Sequence, residues 1–306
     1  MRVLLTGGSG DLATVLTPAL LQRGDTPLRL DIVPPRDTRG SYLAGSILHR
    51  ADVARAMDGV DAVVHIAAWH GIHESSGEKD AYDFWDLNVT GTFNVFEAAA
   101  RAGVTKLVYI SSTSIRKRHS LYGHTKVLGE EIAQTYAARH DMRVIVLRPR
   151  GFIPSWNSAV YTSFVEWMQW FWRGAVHIED VAQAVLQSLD CLSSTYWSTP
   201  PVLVLDSAYD YTDDDLRHWD ADGVGSTFRK TYPAYVDLAW RYGLKPEEPP
   251  IKLDISEACH WLGYAPRYSL GHALEALALY GPGGPPPPEG IHSRQTPHRS
   301  VGDVHQ

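Results

Sequence analysis

A run of strand character, Arg2 to Thr6, leads straight into Gly7-Gly8-Ser9-Gly10-Asp11-Leu12-Ala13, and a helical pattern from Asp11 to Arg23 follows without a linker. Passing from strand to helix in so few residues needs glycine at the turn. The turn leaves a helix N-terminus whose free N–H groups and dipole favour a negative charge. The loop satisfies both G-x-x-G-x-x-A and G-x-G-x-x-A, and Ala13 is small enough for a helix to pack closely on a sheet. It is therefore expected to cradle a dinucleotide pyrophosphate through Gly7, Gly10, Asp11 and Leu12.

Further apolar runs at Leu28 to Val33, Ala62 to Ile66, Lys106 to Ser111 and Arg143 to Arg148 read as buried strands. Helical spacing at Ala81 to Ala102 and Leu121 to His140 separates them. This alternation predicts an α/β architecture, a Rossmann doubly wound parallel sheet with helices on both faces. Pro18 is expected to kink the first helix. Residues 1–150 then form the nucleotide-binding domain, with return elements near 176–206, a helix from Ile178 to Leu189 and a strand from Val202 to Leu205. Residues 151–280 read as a small α/β substrate lobe, and 281–306, opening on Gly-Pro-Gly-Gly-Pro-Pro-Pro-Pro, as a disordered tail.

Of 306 residues, 44% are hydrophobic and 21% charged, ordinary for a globular chain. A net charge of -7 argues against coating nucleic acid or an anionic membrane. No run reaches the ~18 apolar residues of a membrane span. Two cysteines make no disulfide framework. The amino terminus reaches its glycines too early for a signal-peptide core, so a cytoplasmic protein is expected.

Asp31 closes the second strand, 21 residues after Gly10. A carboxylate there accepts hydrogen bonds from ribose hydroxyls and repels a 2′-phosphate, which selects NAD over NADP. Arg36 and Arg39 just downstream are the competing feature. Tyr122 and Lys126 stand four residues apart on one helix face. A phenol is a poor base at neutral pH, and a neighbouring ammonium is the type of environment that corrects this. The strand Val108-Tyr-Ile-Ser-Ser-Thr ends ahead of them, where a hydroxyl would point into the ligand crevice.

With Thr6-Gly-Gly-Ser-Gly, Asp31, Asp61-Ala-Val-Val-His-Ile-Ala-Ala68, Asn88-Val-Thr-Gly-Thr92, Ser111-Ser112, Tyr122 with Lys126, Leu147-Arg-Pro149 and His177-Ile-Glu-Asp-Val181 in this order, the chain resembles the extended short-chain dehydrogenase/reductase family, its NAD-dependent epimerase/dehydratase-like branch. The resemblance covers residues 1 to about 280. It implies Ser112 as the hydroxyl that holds a substrate oxygen, Tyr122 as general acid/base, and Lys126 as its activator and a nicotinamide-ribose ligand. It further implies NAD contacts from Ala67, Ala68, Asn88 and Pro149, and a homodimer through the 81–102 and 121–140 helices. His177 to Val181 matches the start of the returning helix, with a structural role or a substrate contact both open.

Only ten positions separate Ser112 from Tyr122, where family members carry a longer loop, and Gly151 falls where many nucleotide-sugar epimerases have asparagine. Thr113 and Ser114 follow Ser112 without the acidic residue of the dehydratases. The compact lobe resembles uronate dehydrogenases. The expectation is an NAD-dependent oxidoreductase acting on a secondary alcohol or hemiacetal carbon of a small, anionic, sugar-like substrate. Trp69, Thr113, Arg150 and Trp156 are the candidate contacts, and Arg116-Lys-Arg-His119 is either a solvated loop or an anion-recruiting rim. Two alternatives remain: a nucleotide-sugar epimerase that retains NAD, and a non-catalytic NAD sensor. Phe164, Trp167, Met168, Phe171 and Trp172 at helical spacing read as core or as a substrate lid. His65, His70 and His73 are not expected to bind metal, since hydride transfer needs none.

Overall fold

A computed structural model describes residues 1–288 apart from 118, 196, 198 and 246. Seven strands, β1 (Arg2–Thr6), β2 (Thr26–Asp31), β3 (Ser41–Ala44), β4 (Ala62–His65), β5 (Lys106–Ile110), β6 (Arg143–Pro149) and β7 (Val202–Leu205), form one parallel sheet in the order β3-β2-β1-β4-β5-β6-β7. The chain builds outward from β1 in one direction, then returns to its other side at β4. This reversal opens a crevice at the carboxyl ends of β1 and β4, where ligands bind in open α/β sheets.

Successive residues of a strand face opposite sides, and the core divides accordingly. Val3, Leu5 and Val64 pack beneath α1 (Asp11–Gln22) and α8 (Ile178–Ser194). Leu4 and Val63 pack on the other face against α2 (Arg50–Ala56), α5 (Thr92–Ala102) and α6 (Leu121–His140). Helix α1 runs to Gln22 with Pro18 inside it, and Thr14 and Thr17 bond their hydroxyls back to the Gly10 and Ala13 carbonyls.

The pattern from Ala81 to Ala102 departs from the single helix expected. It begins as α4 (Ala81–Phe84), widens into a π-helical segment at Trp85–Gly91 and continues as α5. A π insertion adds a residue to the turn and is often found at functional sites. Here it carries Asn88. Two elements without an expectation are β3, which forms the sheet edge, and α2, which packs beside α5.

The small lobe has its own core. Phe164, Trp167, Met168, Phe171 and Trp172 of α7 (Phe164–Gly174) are buried with Tyr211, Phe228, Tyr232 and Leu274, so this stripe is core rather than lid. The Trp167 and Trp172 indole N–H groups donate to the carbonyls of Ile153 and Glu248. The proline-rich tail was expected to be disordered from Gly281. Gly281–Gly283 instead form a short turn, and Gly284 lies against the ring of Phe164. Residues 289–306 of that tail lie outside the described residues. Among the described residues no helix is long and apolar enough to cross a membrane.

Candidate active site

The site forms where β1, β4 and β5 end. Gly7 adopts φ +66°, and a Cβ there would lie 2.9 Å from the Ala67 Cα, so the turn after β1 and the turn after β4 touch backbone to backbone. The Thr6 hydroxyl braces this contact by accepting from the Ile66 and Ala67 amides at 3.1 and 3.3 Å. Gly10 precedes α1 with extended backbone and no side-chain cap, which leaves the first N–H groups of the helix for an anion. Leu12 buries its side chain in the core, which leaves only its backbone available at the loop.

Asp31 ends β2 beside this loop, accepting from the Ser9 amide at 3.0 Å and the Val33 amide at 3.1 Å. A carboxylate has about four acceptor positions, so two such bonds leave capacity for ribose hydroxyls. Of the two competing arginines, Arg39 is engaged at Asp37, alongside Arg29 of β2, whereas the buried Nε of Arg36 has no partner among the described residues. Arg29, fully buried, donates its Nε to the Gly8 carbonyl and pairs with Asp37 at 3.0 Å, and Arg39 reaches the same Asp37 at 3.4 Å. These arginines hold the Asp37 carboxyl below its usual range, against burial, which pushes it up.

Ser112, Tyr122 and Lys126 lie close together. Ser112 follows β5, and its hydroxyl accepts from the Ser114 amide at 3.1 Å. Burial pushes the Tyr122 phenol up to about 12, and a hydrogen bond with Ser112 pulls the other way. Lys126, only 3% exposed, donates to the Ile110 carbonyl at 2.8 Å and places Nζ 5.9 Å from the centre of the Tyr122 ring. Burial pulls its ammonium down to about 7, with Glu130 opposing. Glu130, one turn along α6, accepts from Arg148 Nε at 2.8 Å and from the Ser111 hydroxyl. Ser111, the residue before Ser112, is thereby anchored.

The short loop before Tyr122 packs closely on α6. Residues Thr113–Arg116 form a 3₁₀ turn lying on α6, and a Cβ at Gly123 would collide with the Ser114 carbonyl. Thr113 bonds the Pro149 carbonyl at 3.4 Å, tying this turn to the end of β6. Arg116 and Lys117 are exposed beside it, and Arg118 lies outside the described residues.

Several expected contacts take other roles. Asn88, expected at the cofactor, spends its side-chain amide within the protein: it accepts from the Trp69 amide at 2.7 Å and donates to the Trp69 carbonyl and the Thr125 hydroxyl, each at 3.0 Å. It therefore pins the turn after Ala68 to α6. Arg150, expected to meet substrate, turns into the small lobe. The missing Cβ of Gly174 makes room for its guanidinium, which pairs with buried Asp206 at 3.4 Å and donates to Tyr209 and the Ile251 carbonyl. A buried carboxylate needs such a partner, and this explains the turn. Trp156 packs partly on the sheet core, and Trp69 stacks under Lys79 at 4.4 Å. His177 caps α8 and stacks on Tyr268 at 3.8 Å, the structural reading of that motif.

His65 is 1% exposed and bridges Thr6 and Thr92 at 2.7 and 2.9 Å. Because the Thr92 hydroxyl donates to the Asn88 carbonyl at 2.6 Å, it must accept from Nε2, which assigns the proton to Nε2 and makes Nδ1 the acceptor from Thr6. Burial keeps this ring neutral, pulling it down to about 3.

Glu74, without a signal in the sequence, reaches the start of α6 from α3 (Gly71–Ser75). It accepts from the Leu121 amide at 2.7 Å, the Tyr122 amide at 3.0 Å and the Ser120 hydroxyl at 2.9 Å. On the same segment the exposed His70 ring stacks 6.4 Å from that of Tyr122.

The seven-stranded parallel sheet and the glycine loop at its switch point define a Rossmann-fold protein. The chain belongs to the NAD-dependent epimerase/dehydratase family, whose model matches residues 3–195. NAD is the cofactor of this family, and the close Gly7–Ala67 approach, the uncapped α1 N-terminus and Asp31 fit it. A uronate dehydrogenase of Pseudomonas syringae pv. tomato is 26% identical over 229 residues, which is 68% of this chain and 81% of that protein. A 3-beta-hydroxysteroid dehydrogenase of Mycolicibacterium neoaurum is 30% identical over 185 residues, and the match spans about half the length of each. Among solved structures, MoeE5 in complex with UDP-glucuronic acid and NAD has a TM-score of 0.66 at 21% identity, covering 90% of this chain and 97% of that one, and shares the fold.

Proposed function

We propose that this protein is a cytoplasmic, homodimeric NAD-dependent dehydrogenase that oxidises a hydroxyl-bearing carbon, a secondary alcohol or hemiacetal, of a small anionic sugar such as a uronic acid. The observation that carries the reading is the cluster of Ser112, Tyr122 and Lys126 at the carboxyl end of β5.

The glycine loop and α1 would hold the pyrophosphate, Asp31 the adenosine ribose, and Lys126 the nicotinamide ribose. NAD, when bound, supplies the hydride acceptor and a positively charged ring. The chain's own groups handle the proton. Ser112 donates a hydrogen bond to the substrate oxygen and aligns it with Tyr122. The phenol oxygen takes the hydroxyl proton as the C–H bond breaks, and the C–O bond becomes a carbonyl. With its phenol pushed up to about 12 in the unliganded protein, Tyr122 starts protonated at neutral pH. Its conversion to a base depends on positive charge brought close. Lys126, poised at about 7, takes up the proton that the Tyr122 phenol gives up, and the phenolate left beside the ammonium is the base that then accepts the substrate's hydroxyl proton.

Arg116 and Lys117, exposed on the turn that follows Ser112, support an anionic substrate, as does similarity to a uronate dehydrogenase. Exposed Tyr82, Trp85 and Phe93 along α4, the π segment and α5 support a homodimer. The test is absorbance at 340 nm with NAD and a panel of free uronic acids, neutral aldoses and nucleotide sugars. Net NADH with uronic acids is expected. Product formed from a nucleotide sugar without net NADH would instead establish an epimerase, and neither outcome across the panel would favour a sensor.

A further inference from the structure

We propose that Glu74 is a positioning residue for Tyr122, a carboxylate that fixes the catalytic end of α6 to the segment lining the other side of the crevice. The proposal rests on the reading of Tyr122 as the proton-transfer group.

The first N–H groups of a helix have no partner within it. In α6 Ser120 serves the Gly123 amide at 3.1 Å, and Glu74 serves the two amides before it, those of Leu121 and Tyr122. Glu74 also accepts the Ser120 hydroxyl, so the cap itself is held by the same carboxylate. These are charge-assisted bonds at the positive end of the helix dipole, the stronger kind. All three acceptor contacts fall on residues 120–122. The carboxylate therefore acts at the residue whose phenol must be aimed, rather than along the helix generally.

The other end of the segment is secured independently. Asn88 grips Trp69 by both its amide and its carbonyl, and the same Asn88 side chain donates to Thr125 one turn into α6. Residues 69–74 are thus bolted to α6 at two points, with His70 against the Tyr122 ring between them. Releasing the Glu74 end frees the first turn of α6, while the glycine loop, which contacts Ala67 on the near side, keeps its own brace at Thr6. Proton-transfer geometry should suffer and NAD binding should not.

The full-length wild type, Glu74→Ala, Glu74→Gln and Tyr122→Phe are compared for turnover with NAD and D-glucuronate, for NAD affinity by calorimetry, and for amide hydrogen exchange at residues 120–124. Displacement of a reacting group by about 1 Å costs on the order of 10²-fold in rate. Glu74→Ala is therefore expected to lower kcat by roughly tenfold to a hundredfold. Glu74→Gln, which keeps one acceptor oxygen, should recover part of it. NAD affinity should stay within about twofold, and the Leu121 and Tyr122 amides should exchange at least about tenfold faster. A kcat within twofold of wild type, a loss of kcat matched by loss of NAD affinity, or unchanged exchange at these amides overturns the proposal. If Glu74→Ala fails to fold, Glu74→Gln carries the same comparison. Turnover retained in Tyr122→Phe, or absent from wild type, refutes the functional reading instead, and the exchange measurement still decides whether Glu74 holds Tyr122.

Discussion

The Lys126 ammonium donates to the carbonyl of Ile110 at 2.8 Å, so α6 is fastened to the strand that leads into Ser112. Fastening it there takes the ammonium out of water, and burial pulls it from its ordinary value of 10.5 down to about 7.

This displacement makes stability depend on pH. Between pH 7 and 10.5 the unfolded chain holds a proton at Lys126 that the folded chain has released, so this residue's contribution to stability rises with pH across that window, by up to about 1.4 kcal/mol per pH unit. Lys126→Met should remove that slope along with most of the turnover. Denaturant melts of both proteins from pH 7 to 10 check it; parallel profiles would contradict the assignment.

His65 gives the opposite limb. Its folded-state value of about 3 lies below the ordinary 6.5. The unfolded chain therefore binds a proton that the folded chain refuses, and stability is lost as pH falls from 6.5 toward 3, again by up to about 1.4 kcal/mol per unit. His65→Gln should flatten the acid limb in urea melts between pH 6.5 and 4.

The Arg150–Asp206 pair carries a different prediction from the one its position in the sequence suggests. Asp206 is 1% exposed, and burial raises its carboxyl while Arg150 lowers it. Removing one partner of a buried pair typically costs about 3–5 kcal/mol. Arg150→Ala should therefore lower the midpoint of unfolding sharply, with KM for the substrate changing little in the protein that remains folded. A tenfold rise in KM at unchanged stability would return Arg150 to the substrate site.

Much of this architecture is legible in the chain because fully buried strands in a parallel sheet are written as short apolar runs bounded by turns. Arg2–Thr6 and Val202–Leu205 match their expected limits, and Leu121–His140 is set by Ser120 as its cap and Asp141 in the left-handed conformation. β3 escapes this reading because it has only four residues, largely exposed, too few to show a pattern. The π segment escapes because one added residue shifts a helical pattern without ending it. The cofactor loop and the Tyr122/Lys126 pair are legible as local spacings. Glu74 lies 46 to 48 residues from its three partners, and Arg150 pairs 56 residues away, so neither role has a local pattern to betray it.

Asp31 is proposed to set cofactor preference. Asp31→Ala removes acceptors for the ribose and a charge that repels a 2′-phosphate, so NAD should bind roughly tenfold more weakly while NADP gains. Calorimetry with both dinucleotides checks this. A wild type that prefers NADP would contradict it.

Tyr122 is proposed to transfer the proton in oxidation of a sugar acid by NAD. The direct measurement is initial-rate formation of NADH from D-glucuronate and D-galacturonate by wild type and Tyr122→Phe, with NAD affinity of each measured by calorimetry. General acid–base catalysis contributes about 10² to 10⁴ in rate. Turnover is expected in wild type, a loss of that size in Tyr122→Phe, and NAD affinity unchanged within about twofold. Near-wild-type NADH formation by Tyr122→Phe would contradict it.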